Sequence, residues 1–382
     1  MLAKRLENLH PYVPGEQPTD RVYIKLNANE NPYPPHPSVL DSLEKTVRAN
    51  SYRLGLYPDP DVTELREEIA SMLNKTGGAF WSTKKSGETF CASEENKIPF
   101  TVTSDMIFCG NGSDEVLSFV FYTFFDSDRP LITPTFSYSF YPVYCDYYKI
   151  PMNKIPLKED WSLDIERMTA EANKTDSATI FANPNAPTGI ALTRNQIREM
   201  IKKCPKDKVF VVDEAYCDFG GESCIPLLAE FDNLVIVRTF SKSLSLAGMR
   251  LGYLVSSPKL IQAVFQVKNS FNHFPVDYIA QTVAKATCRA SDYYIQNAKT
   301  IASERDSFTE FLRSRGWFVI DSATNFVFAK KDGVNGRNAY EFVKKNGILI
   351  RHFATPGIED FVRITIGTPE QMTKLKEIMK NL

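Results

Sequence analysis

A lysine, Lys242, follows an apolar run in the stretch VRTFSKSLSLAGMR, which begins at Val237. Ser241 and Ser243 flank it, and Arg250 comes eight residues later. A lysine amine can form a Schiff base with an aldehyde, most readily where burial and nearby positive charge keep it unprotonated. Ser241 and Arg250 could hold a phosphate beside it, since arginine offers a fixed fork of donors. Taken alone, the stretch fits a solvated lysine in a turn better.

A second candidate site lies in the stretch GNGSDE, which follows a predicted strand and opens a predicted helix. Gly110 and Gly112 permit close approach, Ser113 and Asp114 can cap the helix, and free N–H groups at a helix start attract phosphate. A glycine turn with a capped helix is the simpler interpretation of this stretch alone. The dinucleotide-binding fingerprint is incomplete, because Glu115 stands where its third glycine belongs.

Two further polar stretches follow apolar runs. Asp213, with Tyr216 three residues on, ends the most apolar run, and a buried carboxylate needs a positive or hydrogen-bonding partner. No histidine lies nearby to suggest a metal, and a protonated ring nitrogen would serve equally well; a helix-capping carboxylate is the alternative. In NPNAPTG, prolines and Gly189 predict a fixed turn that holds Asn183 and Asn185 near the same crevice, although a plain turn would explain the motif too.

The elements that must position these residues alternate between strand and helix. Apolar runs predict strands, and several are apolar almost throughout, as in parallel sheets covered on both faces. Thr193 and Gln196 predict a capping box on a helix with one apolar face, and the stretch from Asp61 repeats the scheme. We therefore predict an α/β fold with a mostly parallel sheet, whose ligands bind beyond the carboxyl ends of the strands. The runs are 105–110, 129–134, 178–184, 208–216, 233–240 and 250–257.

The domain organisation follows from where this alternation stops. We predict a large domain over 49–285 and a small α+β domain combining 1–48 with 286–382, where three apolar runs predict a smaller sheet and a final helix closes the chain. Residues 76–104 are polar without a clear period and predict a surface insertion.

Composition excludes several classes of protein. The 382 residues carry a net charge of −1, which gives no reason to expect a nucleic-acid or membrane surface. No apolar run approaches the roughly 20 residues of a membrane helix, and the first residues lack a secretory signal. The seven cysteines are scattered without a C-x-x-C pair, which predicts reduced thiols in a cytoplasmic protein. The four histidines lack metal-ligand spacing, so no metal is expected.

Together, the lysine, the phosphate donors and the carboxylate match pyridoxal 5′-phosphate (PLP), for which a lysine and an aspartate partner are the expected protein groups. The ordered motifs GNGSDE, PTFSYSFY, NPNAPTG, DEAY, SKSLSLAGMRLGY and VRITIGT resemble the fold-type I PLP-dependent aminotransferases. PYVPGEQP, LNANENPYP, LYPDPD and ILIRHF are most similar to the histidinol-phosphate branch. The resemblance covers nearly the whole chain apart from 76–104.

The resemblance implies roles for individual residues. Lys242 would carry the cofactor and transfer protons, Asp213 would pair with the ring nitrogen, Tyr216 would contact the ring oxygen, and Phe136 would stack on the ring. The residues that it assigns to cofactor binding are Gly112, Ser113, Asp114, Phe136, Asn185, Asp213, Tyr216, Thr239, Ser241, Lys242, Arg250 and Tyr57 of the partner subunit, which implies a homodimer.

For the substrate, the resemblance implies binding by Arg351, Arg363, Tyr12 and Asn29. Strand alternation independently directs Arg363 away from Val362 and Ile364. The implied reaction transfers an amino group between L-histidinol phosphate and 2-oxoglutarate in histidine biosynthesis.

One position departs from the family pattern, and other activities stay open. Ala186 stands where the family has an asparagine that contacts the ring oxygen, and Asn185 precedes it.

An aromatic-amino-acid aminotransferase and a PLP-dependent decarboxylase of phosphorylated amino acids share the scaffold. A nucleotide-binding dehydrogenase or a non-catalytic module is the alternative of another class, and the missing third glycine argues against it.

Overall fold

The computed structural model describes residues 6, 9–12, 15–83, 89–91 and 97–382. The helices in the described residues are α1 Pro37–Ala49, α2 Thr63–Thr76, α3 Gly112–Phe124, α4 Tyr141–Tyr148, α5 Ile165–Thr175, α6 Arg194–Lys203, α7 Pro258–Phe271, α8 Tyr278–Arg289, α9 Ser291–Ser314, α10 Gly336–Lys345 and α11 Pro369–Met379. Short 3₁₀ helices span Ser51–Gly55, Ser104–Met106, Cys217–Phe219, Ile225–Ala229 and Ala247–Met249. The strands are β1 Ile24–Lys25, β2 Trp81–Thr83, β3 Thr89–Cys91, β4 Ile107–Gly110, β5 Leu131–Pro134, β6 Met152–Ile155, β7 Thr179–Ala182, β8 Phe210–Asp213, β9 Leu234–Thr239, β10 Gly252–Ser256, β11 Trp317–Ile320, β12 Phe326–Lys331, β13 Ile348–Leu349, β14 Arg351–His352 and β15 Val362–Thr365.

The central sheet has seven strands in the order β4-β10-β9-β8-β7-β5-β6. All run parallel except β10, which is antiparallel to both β4 and β9. Strands β4, β5, β7, β8, β9 and β10 are buried along their whole length, which explains why their sequences are apolar on both faces. The predicted α/β class with a mostly parallel sheet is confirmed. Strand β6, which the sequence analysis missed, is a partly exposed edge strand.

Of the two helix N-terminal caps predicted from the sequence, one is present and the other is formed by a different residue. The predicted capping box is present on α6, where Thr193 Oγ1 accepts from Gln196 N at 3.2 Å and Gln196 Oε1 accepts from Thr193 N at 2.9 Å. At the start of α2, the carboxylate that accepts from the backbone belongs to Asp59, whose Oδ2 lies 2.7 Å from Thr63 N. The prediction that Asp61 opens this helix was wrong, because the chain turns between Asp59 and Thr63.

A second, antiparallel sheet has the order β11-β12-β15-β14. The run GILIRHF, predicted as one strand, divides at Ile350. Its first part, β13, pairs with β1 near the N-terminus, and its second part, β14, pairs with β15. The N-terminal segment is thereby joined to the C-terminal part of the chain. The predicted final helix is present as α11.

Among the described side chains, Cys109, Cys145, Cys204, Cys217, Cys224 and Cys288 are buried and unpaired. Burial raises the pKa of the Cys109 and Cys145 thiols to about 12, so these cysteines are unreactive core residues. In the part of the chain that the structure describes, no helix has the length and apolar character needed to cross a bilayer. Within the same residues, no cluster of His, Cys, Asp and Glu could hold a metal ion.

Candidate active site

The carboxyl ends of the parallel strands meet at one edge of the central sheet, beside the second sheet. Lys242 follows β9, Asp213 ends β8, and Phe136 follows β5. A pocket of about 450 Å³ opens there between the two sheets. The candidate residues that line it are Tyr12, Asn29, Phe136, Tyr216, Lys242, Arg351 and Arg363.

The Lys242 amine projects into this pocket. Its Nζ donates to the carbonyl of Ala28 at 3.1 Å and lies 5.7 Å from the centroid of the Tyr216 ring. The Lys242 carbonyl accepts from Asn31 Nδ2 at 3.1 Å, which ties the loop to the N-terminal segment. Among the described residues, no carboxylate forms an ion pair with this lysine, so the amine is available to a ligand.

Asp213 is a buried carboxylate, only 4% exposed. Its Oδ2 accepts from Tyr141 Oη at 3.0 Å and its Oδ1 from Ala215 N at 3.1 Å. Burial raises the pKa of Asp213 to about 6, although the Tyr141 hydrogen bond opposes the rise. A cationic ligand group would supply the partner that the described residues do not. The sequence analysis missed Tyr141, whose signal was a phenol hydroxyl in the helix immediately after the PTFSYSF loop.

The start of α3 packs tightly against the residues that precede β10. Gly112 has a φ of +82°, and a Cβ there would lie 2.7 Å from Arg250 Nη2. A Cβ at Gly252 would lie 2.4 Å from Ser113 N, so glycine is required where β10 meets this helix. Arg250 Nη2 pairs with Asp114 Oδ2 at 2.9 Å. Helix N–H groups beside a guanidinium form a cradle suited to phosphate.

Thr239 and Ser241 adjoin this cradle. Thr239 lies opposite Gly252 in the β9–β10 register, and its Oγ1 accepts from Ser241 N at 3.1 Å. Both residues are buried. The predicted phosphate-binding residues of the chain are thus brought to one corner of the site.

Asn185 and Phe136 are joined at the end of the pocket nearest β7. Asn185 Nδ2 donates to the Phe136 carbonyl at 2.9 Å and to Thr188 Oγ1 at 3.0 Å. Its Oδ1 lacks a hydrogen-bond partner among the described residues. Ala186 lines the pocket and brings no polar group to it. Asn183, by contrast, is used within its own loop, where it bonds the backbone of Leu192.

Two arginines of the second sheet line the same pocket. Arg351 and Arg363 are direct cross-strand partners in the β14–β15 register. Each guanidinium lies 5.5 Å from the ring centroid of Phe353. Arg363 Nη2 donates to the Asn27 carbonyl at 3.2 Å, while its Nε finds no hydrogen-bond partner within the described chain. Burial lowers the pKa of Arg363, and the charge of Arg351 adds to this effect. The arrangement is suited to an anion.

Of the three remaining candidate residues, Tyr12 and Asn29 line the pocket and Tyr57 lies outside it. Tyr12 is 39% exposed and packs its ring on Phe140, with centroids 5.3 Å apart. Asn29 is buried and donates to Tyr216 Oη at 2.8 Å. Tyr57 does not border the pocket of its own chain. It is 82% exposed and stacks on Phe274 with ring centroids 4.6 Å apart.

The doubly covered sheet and a lysine, a buried carboxylate and an anion cradle at its carboxyl edge define an aminotransferase scaffold. The chain belongs to the family described as aminotransferase class I and II, whose profile matches residues 21–378. Within it, the chain is 46% identical to a histidinol-phosphate aminotransferase from Syntrophus aciditrophicus, and the match covers 100% of this chain and 98% of that protein. The resemblance inferred from the motifs is confirmed.

Solved structures share the fold. One is histidinol-phosphate aminotransferase from Sinorhizobium meliloti in complex with pyridoxal 5′-phosphate, with a TM-score of 0.79, 23% identity and coverage of 94% of this chain and 92% of that one. Another is L-threonine-O-3-phosphate decarboxylase from Porphyromonas gingivalis, with a TM-score of 0.71, 22% identity and coverage of 94% and 98%. The fold alone therefore does not select the reaction.

Proposed function

We propose that the protein is a PLP-dependent aminotransferase that transfers an amino group between L-histidinol phosphate and 2-oxoglutarate, yielding imidazole-acetol phosphate and glutamate. The observation that carries the proposal is that the Lys242 amine and the Arg351–Arg363 pair line one and the same pocket. The 46% identical relative bears the name of this activity.

The residues present fit PLP. Asp213 would face the ring nitrogen, because a buried carboxylate with a raised pKa is stabilised by a protonated partner. Tyr216 would contact the ring oxygen, Phe136 would stack on the ring, and Asn185 would adjoin it. The phosphate would be held by Gly112, Ser113, Thr239, Ser241 and Arg250, with Asp114 pairing with the arginine. When bound, PLP supplies an aldehyde that takes up an amine and a ring that withdraws electrons from it.

The protein residues then have three tasks. Lys242 Nζ moves the proton at the substrate Cα, a task that suits an amine with no carboxylate partner in the described chain. Asp213 would keep the ring nitrogen protonated, and Tyr141 holds this carboxylate in place through its 3.0 Å hydrogen bond. Tyr216 would hold the ring through its oxygen, and the Tyr216 phenol ring lies 5.7 Å from Lys242 Nζ, so both side chains reach the same part of the pocket.

The paired arginines support a substrate that carries its own anion. L-Histidinol phosphate has a phosphate and no carboxylate, whereas 2-oxoglutarate has two carboxylates. Arg351 and Arg363 together would bind either anion, since arginine suits both phosphate and carboxylate. Tyr12, at the mouth of the pocket, would contact the remainder of the substrate.

We also propose the division into a large domain, 49–285, and a small domain of 1–48 with 286–382. The seven-stranded sheet lies within the first range, and the β1–β13 pairing supports joining the two ends of the chain. Within the proposed 76–104 insertion, Gly77, Gly78, Ala79 and Phe80 are buried, and β2 and β3 form a hairpin. Residues 77–80 therefore belong to the protein interior and not to a surface insertion.

A homodimer completes the proposed site. Tyr57 is 82% exposed and Phe271 78%, and exposed aromatic surface of this kind is typical of interfaces. Tyr57 of the partner subunit would reach the cofactor phosphate. We also propose that the enzyme is cytoplasmic, since the cysteines described by the structure are buried and unpaired, which suits a reducing compartment.

The test is an absorbance spectrum of the purified protein with PLP, followed by borohydride reduction and peptide mapping. We expect the label on Lys242 and a change of the visible band when histidinol phosphate is added. Lys242→Ala should bind PLP without the reducible linkage. Label on another lysine, or no label, would overturn the proposal.

Substrate choice needs a separate assay, in which turnover of histidinol phosphate, phenylalanine and threonine phosphate is compared. We expect histidinol phosphate to give the highest kcat/KM. Preference for phenylalanine would indicate an aromatic-amino-acid aminotransferase, and loss of CO₂ from threonine phosphate would indicate a decarboxylase; either result contradicts the proposed substrate.

The dimer is tested by mixing two variants that we expect to be inactive, Lys242→Ala and Tyr57→Ala, under conditions that exchange subunits. A hybrid has one site with both native residues, so activity should reappear on mixing if Tyr57 acts across the interface. No recovery, with exchange verified by native mass spectrometry, would show that Tyr57 does not act in this way.

A further inference from the structure

All four polar groups of Asn29, two on the backbone and two on the side chain, form hydrogen bonds within the protein. It is 1% exposed. Its N–H donates to Thr365 Oγ1 at 3.0 Å, and its carbonyl accepts from Asn325 Nδ2 at 3.0 Å. Its Oδ1 accepts from Thr365 Oγ1 at 3.1 Å, and its Nδ2 donates to Tyr216 Oη at 2.8 Å. Asn29 thus links the second sheet to a residue of the candidate cofactor site.

The backbone of Asn29 is also unusual. Its φ is +55°, in the left-handed region that disfavours residues with a Cβ and disfavours asparagine least. Such a conformation persists where surrounding contacts over-determine it, and buried examples concentrate at functional sites. The three hydrogen bonds to Thr365 and Asn325 are the contacts that hold it here.

Thr365 determines which way the Asn29 amide faces. The Thr365 hydroxyl accepts the Asn29 N–H, and its own proton reaches an acceptor when Oδ1 of Asn29 faces it. With the amide reversed, this buried hydroxyl proton would lose that acceptor. Asn29 Nδ2 therefore faces Tyr216 and occupies a lone pair of the phenol oxygen. The phenol proton is left free to be donated in another direction.

The need for a well-oriented Tyr216 follows from its neighbours. Position 186, where the family has an asparagine for the ring oxygen, is an alanine that lines the pocket. The adjacent Asn185 directs its amide to the Phe136 carbonyl and Thr188 instead. Tyr216 is thus the candidate residue left to contact this oxygen. The carbonyl of Ala28, the residue before Asn29, accepts from Lys242 Nζ. The segment Ala28–Asn29 therefore contacts both the Lys242 amine and the Tyr216 hydroxyl.

We infer that Asn29 is a positioning residue that holds the Tyr216 hydroxyl as a donor toward the ring oxygen of bound PLP. With alanine at position 186, the contact to the ring oxygen would depend on Tyr216, whose hydroxyl Asn29 orients. This inference rests on the proposed function, and it assigns Asn29 a role other than the substrate contact that the family resemblance implies.

The experiment is a pH titration of the visible absorbance of the PLP-loaded protein without substrate. Asn29→Gly keeps the left-handed backbone and removes the amide. Asn29→Asp keeps the shape but offers Tyr216 an acceptor in place of a donor. A hydrogen bond from Tyr216 to the ring oxygen stabilises the negative charge of that oxygen. It thereby weakens proton binding at the nearby nitrogen that joins Lys242 to the cofactor. Loss of the Asn29 hydrogen bond to Tyr216 should therefore raise the midpoint of the pH titration by about half a pH unit to one pH unit.

A double-mutant cycle makes the readout specific. In a Tyr216→Phe background, Asn29→Gly should cause no further shift, because the hydroxyl on which it acts is gone. Cofactor stoichiometry and circular dichroism verify that each variant is folded and loaded. If neither Asn29 variant folds, Thr365→Val, which removes the hydroxyl that orients the amide, should shift the midpoint in the same direction by a smaller amount.

Unchanged midpoints in the folded Asn29 variants, or in Thr365→Val when they do not fold, overturn the inference. A higher KM with an unchanged midpoint does so too, because it indicates a substrate contact. A wild-type protein without a visible band would instead contradict the proposed function. The two failures are therefore distinguishable.

Discussion

Arg351 and Arg363 face each other directly across the antiparallel pair β14–β15, with the ring of Phe353 5.5 Å from both guanidinium carbons. Like charges at directly opposite positions destabilise a sheet. An anion bound between them would turn this repulsion into attraction. We therefore expect the pair to contribute binding energy when an anionic substrate is present.

The first prediction concerns this pair. Arg363→Met should raise KM for histidinol phosphate about 10- to 100-fold, because a charged hydrogen-bond donor in a largely enclosed site is lost. Arg351→Met should act in the same direction. Arg337→Met is the control, since that exposed arginine pairs with Glu341 on α10 and lies outside the pocket. Unchanged KM values in both pocket variants would refute anion binding by the pair.

The second prediction concerns Asp213 and pH. Its folded-state pKa of about 6 lies above the unfolded value near 3.8, so the protonated carboxyl favours folding. This stabilisation is fully present below about pH 4 and is lost as the pH rises through 6. Asp213→Asn should therefore make the PLP-free protein more stable than wild type at pH 8, by up to about 3 kcal/mol, and leave it similar at pH 4. Urea unfolding at both pH values measures the difference. Equal stabilities at pH 8 would contradict the raised pKa.

A third prediction concerns Gly112. In Gly112→Ala, the new methyl group would strain a left-handed backbone position and lie 2.7 Å from Arg250 Nη2, so the Arg250 guanidinium must move away from the cradle. We expect the dissociation constant for PLP to rise about tenfold or more. Gly248→Ala is the matched control, because a Cβ there meets nothing within 4 Å. Fluorescence titration of the cofactor-free proteins compares them, and equal affinities would argue against this corner as the phosphate site.

The fourth prediction concerns the buried ion pairs beneath the Lys242 loop. Arg238 Nη2 lies 2.9 Å from Glu214 Oε2, and its Nη1 lies 3.1 Å from Asp218 Oδ1. Asp218 Oδ2 in turn accepts from Ser243 Oγ at 2.6 Å, immediately beside Lys242. Arg238→Met leaves two buried carboxylates unpaired and should cost about 3–5 kcal/mol of unfolding free energy.

The matched control for Arg238 is Arg198→Met, which breaks a partly exposed pair with Glu230. We expect that change to cost at most about 1 kcal/mol. Denaturant unfolding of both variants measures the two values. Similar losses would mean that the buried pairs contribute no more than a surface pair.

Sequence alone determined the class of fold and the identity of most candidate residues. Strand–helix alternation, the Thr193–Gln196 capping box and the polar stretches after apolar strands are local signals, and local chemistry acts over a few residues. The carboxyl ends of parallel strands share one edge, so the sequence alone assigns motifs scattered from Gly112 to Arg250 to one predicted site.

Only the tertiary structure decided the contacts made between distant parts of the chain. Tyr141 meets Asp213 across 72 residues and Asn29 meets Tyr216 across 187, separations over which spacing carries no information. Likewise, strand alternation placed Arg363 on one face, but the register that sets it opposite Arg351 depends on where β14 begins after Ile350. Pairing and register arise from packing of whole sheets, which is why they could not be read from the motifs.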